Sequence, residues 1–146
     1  MNTHRDTRNA CALIGRDRIE AVVDDFYERV KRHPTLAVPF ASVVDWDEHK
    51  AHLAHFWWVS LGGERYRSKP YNVGAKHYEA GVTDPLVDDW LALFRRTLDD
   101  HLPNELADLW HARASRMGES IRMMAEFYAD KARRPDILAR PATAGA

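Results

Sequence analysis

A single cysteine, Cys11, is all that 146 residues contain. No internal disulfide can form, so a reducing cytoplasm is the default expectation. An excess of one charge is missing too: 21 Lys and Arg stand against 22 Asp and Glu. That balance leaves neither the basic field nucleic acid requires nor a lysine-rich face for a membrane. No apolar run approaches the ~20 residues needed to cross a bilayer, and Met1 to Ala10 is polar, without the apolar centre of a signal peptide. Sustained two-residue alternation, the mark of a half-buried strand, is absent, and no internal repeat is visible.

What is present is helical. Apolar residues recur at three- and four-residue steps, which predicts an all-α chain forming one domain with a real core. A first strong helix is expected from about Asp17 to Arg32, with Ile19, Val22, Val23, Phe26 and Val30 inward, closed by Pro34 and Pro39. A second runs from about Trp46 to Leu61 and stops at Gly62-Gly63. A short one is centred on His77. Asp84 is expected to cap a fourth, opened by Pro85 and ending near Asp100. The longest spans Pro103 to about Lys131, anchored by Leu106, Leu109, Trp110, Met117, Ile121, Met124 and Phe127. Residues 1–16 are read as a partly helical or flexible extension, 17–131 as the domain and 132–146 as a frayed tail.

Four polar side chains interrupt the apolar stripes: Tyr27, His49, His77 and Trp90. His49 shares a helical face with Trp46, Leu53, Phe56 and Ser60, whereas His52 and His55 project toward other faces. A phenol, two imidazoles and an indole turned inward suit a fold surrounding something to be ligated and hydrogen-bonded, such as an iron porphyrin. Neutral imidazole is a common haem ligand. Each residue also has a plainer reading. His49 can be a buried, hydrogen-bonded histidine, His77 a surface histidine, Trp90 core packing, and Tyr27 a core-edge phenol with its hydroxyl in water. Residues 62 to 74 hold three glycines and a proline but few core-forming residues, and a loop of that length is commonly functional or anchored.

At these residues the chain resembles the truncated, two-over-two haemoglobins. The run Phe26-Tyr-Glu-Arg-Val30 is similar to the family's B helix, which places Tyr27 in the distal pocket, and Phe40 matches an aromatic residue packed on the porphyrin. His49 to Trp57 is similar to the E helix, with His49 at the distal position, Leu53 one turn on, and Phe56 beyond. His77 matches the proximal iron ligand, and Trp90 to Phe94 matches the G-helix segment with a distal tryptophan. His49, Phe56-Trp57 and Trp90 resemble group III, while Leu61-Gly62-Gly63 and the stretch from His77 to Asp84 resemble group I. By the same analogy His52 and Tyr66 contact haem propionates.

The resemblance implies a globin-like, two-over-two helical sandwich around haem b (iron protoporphyrin IX), with His77 on the iron. Tyr27, Trp90 and His49 would roof the opposite side. It also implies O2, NO, CO or peroxide as ligands, an unidentified reductase, and a monomer or weak dimer. NO dioxygenase-like or peroxidase-like chemistry, with His49 as acid–base group, fits such a pocket better than bulk transport. A resting state with His49 as sixth iron ligand stays open. The rivals are a helical non-haem metal protein and an interaction module whose aromatics are only core. Against the first, no glutamate has a histidine three residues later, as di-iron bundles require, and Asp108 with His111 stands alone.

Overall fold

The computed structural model describes residues 10–68 and 82–133. Five α-helices and one short 3-10 turn account for most of them, with no strand among the described residues. Helix α1 (Ala10–Ile14) and α2 (Arg16–Lys31) are separated by Gly15 alone. Gly15 sits at φ 90°, a left-handed conformation that any Cβ would strain, so the chain turns there at little steric cost.

Every sequence-expected inward residue of α2 is buried: Ile19, Val22, Val23, Phe26 and Val30. After α2 a 3-10 turn (Val38–Phe40) with Pro39 inside it leads to α3 (Trp46–Ser60). Asp45 starts α3 as its N-cap, its carboxylate accepting from the Glu48 amide at 3.1 Å. Helix α4 (Asp84–His101) differs from expectation at its start: Thr83, not Asp84, is the cap, with its hydroxyl accepting from the Leu86 amide. A threonine in extended conformation can aim its oxygen back at the helix, whereas Asp84 is already inside the first turn.

Helices α4 and α5 (Asn104–Arg133) form an αα-hairpin across Leu102 and Pro103. Helix α2 packs on both α3 and α4, and α1 packs on α2 and α5. Two helix pairs therefore face each other, as the all-α, two-over-two reading expects. The short helix expected around His77 lies outside the described residues. No described helix is long and apolar enough to cross a membrane.

Rings dominate the centre. Trp57 stacks on Phe94 at 5.6 Å and Trp90 on Phe94 at 5.4 Å, while Trp110 meets Phe94 edge-on at 5.5 Å. Each buried aromatic of this kind contributes about 1.5–3 kcal/mol of transfer free energy. The apolar run of α5 is only half used. Trp110 and Ile121 are buried, but Met124 and Phe127 are 41% and 49% exposed, contrary to their expected role as anchors. Length explains it. At about 1.5 Å per residue, 30 residues of α5 run far beyond the 18 of α4 beneath them.

Candidate functional site

Tyr27 occupies the middle of α2, 3% exposed, because it falls one turn after Val23 on the buried face. Around its ring stand Phe40 from the 3-10 turn at 5.6 Å, and His49 and Trp46 from α3 at 5.3 and 6.2 Å. His49 also meets Phe40 at 5.6 Å and Trp46 at 5.5 Å. Three segments thus converge on one aromatic cluster. The indole of Trp90 comes from α4, and its N–H acts on the Tyr27 hydroxyl by easing loss of its proton.

The protonation states follow from burial. Desolvation pushes the Tyr27 hydroxyl far above the usual phenol range, outweighing the opposite pull of Trp90. Tyr27 therefore stays a phenol, with an O–H that can donate. Burial also lowers the His49 imidazole below its ordinary value, so it is neutral near pH 7. Its Nε2 is a buried atom without a hydrogen-bond partner among the described residues. Buried polar atoms are normally satisfied, and one that is not marks a place for something else.

Leu53 and Phe56 continue the His49 face along α3, and with Phe40 and Trp90 they pack against the core yet stay only partly buried. Such half-covered apolar surface, with three polar groups among it, fits the face of a flat, largely apolar cofactor such as haem. Phe26 and Phe94 lie deeper, fully buried behind Tyr27 and Trp90, with Phe26 edge-on to both Tyr27 and Phe94 at 5.0 Å. His77 lies outside the described residues.

The expected cluster of Tyr27, Phe40, His49 and Trp90 is brought together. Trp46 belongs to it as well, and its signal was three-residue spacing from His49 on an otherwise apolar face. His52 is half-buried on α3. Tyr66 is 41% exposed, its ring beneath the Arg16 guanidinium at 3.9 Å and edge-on to His55 at 4.4 Å. The most buried histidine among the described residues is not His49 but His55, at 0% exposure. Its face looked peripheral in the sequence because the covering residues come from outside α3. No group of three or more His, Cys, Asp or Glu side chains suited to a metal ion occurs among the described residues.

A family profile described as bacterial-like globin matches residues 11–126. The group 3 truncated hemoglobin ctb of Campylobacter jejuni subsp. jejuni is 26% identical over 122 residues, covering 79% of this chain and 94% of that protein. No solved structure matches.

Proposed function

Because this chain belongs to the bacterial-like globin family, we propose that it holds haem b through His77 and receives ligands beneath a roof of Tyr27, His49 and Trp90. Family membership makes it a haem protein that binds small diatomic ligands such as O2. Haem, when bound, would supply the iron that takes the diatomic ligand. His77 would hold it as a neutral imidazole, and Leu53, Phe56 and Phe40 would keep water away from the ligand.

The observation that carries this reading is a buried, protonated phenol, Tyr27, with its ring 5.3 Å from that of His49, whose buried Nε2 has no hydrogen-bond partner among the described residues. A diatomic ligand that gains negative charge on binding is held by such donors. Each contributes about 0.5–1.5 kcal/mol, so two slow ligand release by roughly 10- to 100-fold. Slow release suits O2, NO or peroxide chemistry supported by a reductase rather than bulk transport. The relative's name, a group 3 truncated hemoglobin, supports the group III character of His49 and Trp90.

The deciding experiment is an absorption spectrum of the reduced protein with and without CO, repeated on His77→Gly. The expected result is a haem band that shifts with CO and an altered axial signature in the variant. A preparation that refuses haem, or a variant with unchanged ligation, overturns the reading.

A further inference from the structure

His55 sits in the middle of α3, fully buried and away from the Tyr27 cluster. Its Nε2 accepts two backbone N–H groups, from Tyr66 at 3.1 Å and Arg67 at 3.4 Å. The chain leaving α3 therefore folds back along the helix and is fastened to it. Nearby contacts reinforce this. The Trp58 indole donates to the Glu64 carbonyl at 3.0 Å, and Arg67 pairs with Glu48.

Accepting two N–H groups at one ring nitrogen requires that nitrogen to carry a lone pair, so His55 must be neutral with its proton on Nδ1. Protonation would turn Nε2 into a donor facing two other donors. We infer that His55 is a positioning residue, an acid-released latch that fixes the Glu64–Arg67 connection leading to His77. Among the described residues, Arg65 and Arg67 from the connection and Arg16 from α2 act on the imidazole as cations. Burial first, then these cations, lower its affinity for a proton. The latch is closed above the ordinary imidazole value of 6.5 and weakens as pH falls below it. The latch itself stands on described contacts. Its consequence for haem rests on the assignment of His77 as iron ligand, ten residues after Arg67.

The test is amide hydrogen exchange at Tyr66 and Arg67 by NMR, on the reduced, CO-bound holoprotein between about pH 5 and 8. Protection is expected to fall relative to core amides by up to about tenfold per pH unit, the limit for one proton taken up on opening. His55→Gln offers a side-chain oxygen that accepts but does not titrate, and it should keep both amides protected throughout. His55→Leu should leave them unprotected at every pH. Flat protection in the parent protein, or the same acid loss in His55→Gln, overturns the latch even if His55→Leu fails to fold. The second readout is the iron–histidine vibration of the ferrous, ligand-free protein. An acid-induced change that His55→Gln abolishes supports the positioning role. Titrating amides with an unresponsive vibration overturn that role while leaving His77 assigned. Unchanged ligation in His77→Gly instead removes the assignment, and the amides still decide the latch.

Discussion

Tyr27 shows how one side chain combines two demands. Its ring completes the buried face of α2, and its hydroxyl is kept protonated by the same burial. Trp90 acts on that hydroxyl, so its influence on a ligand passes through Tyr27. Tyr27→Phe should therefore raise the O2 dissociation rate by about 10-fold, as loss of one donor of about 1–1.5 kcal/mol requires. Trp90→Phe should raise it less, by about 2- to 3-fold, since the phenol remains and only its polarisation is lost. Flash photolysis or stopped-flow dissociation measures both. A larger effect from Trp90→Phe would mean that the indole, not the phenol, meets the ligand. Tyr27 and His49 could be singled out from helical spacing because both lie on stripes whose neighbours are apolar. The influence of Trp90 on Tyr27 could not, since it depends on the packing of two residues 63 positions apart.

At the scale of elements, helix ends carry the sequence's punctuation. Asp45 satisfies an orphan amide at the start of α3, the helix that presents His49. Asp45→Ala should cost about 1 kcal/mol, seen as a fall of about 3 °C in thermal midpoint. An unchanged midpoint would show that water replaces the carboxylate without penalty. The far end of α3 depends on Gly63, where an added Cβ would lie 2.2 Å from Trp58 Nε1. Gly63→Ala must displace that indole and its bond to the Glu64 carbonyl. A loss of about 1–3 kcal/mol in denaturant stability is the expected outcome. Boundaries of α2, α3 and α4 fell within a residue or so of expectation because prolines, glycines and caps stand at them. Met124 and Phe127 were misjudged because periodicity reports which face is apolar, not whether another helix lies beneath it.

Across the whole molecule, ion pairs fasten the helices around the core. Lys50 of α3 reaches Asp24 and Glu28 of α2 at 2.8 and 2.7 Å. Asp25 of α2 accepts from Arg29 on its own helix and pairs with His101 of α4 at 2.7 Å, while Arg29 also pairs with Asp100. Partial burial raises the Asp25 carboxyl, but hydrogen bonds from His101 and Arg29 prevail and hold it below its ordinary 3.8. A carboxylate lowered on folding stabilises the fold above that value, and the contribution disappears as pH falls through the folded value. Thermal midpoints measured from about pH 6 downward should drop near and below pH 4, and Asp25→Asn should flatten part of that drop. For partly exposed pairs the share is about 0.5–1 kcal/mol. An identical acid profile in the variant would assign the loss to other carboxylates.

The sequence by itself determined the helical class, the buried face of α2, the breaks between helices, and a short set of polar residues on apolar stripes. These are local matters: spacing, caps, prolines and glycines act within a few residues of one another. Only the tertiary structure decided which of those residues meet. It gathered Tyr27, Phe40, Trp46 and His49 into one cluster, brought the Trp90 indole to bear on the Tyr27 hydroxyl, and made His55 the most buried histidine among the described residues by laying the Tyr66–Arg67 backbone over it. The physical reason is that burial and hydrogen-bond partnership belong to pairs of distant segments. Helical periodicity tells what each segment offers, and packing alone selects what it is offered to.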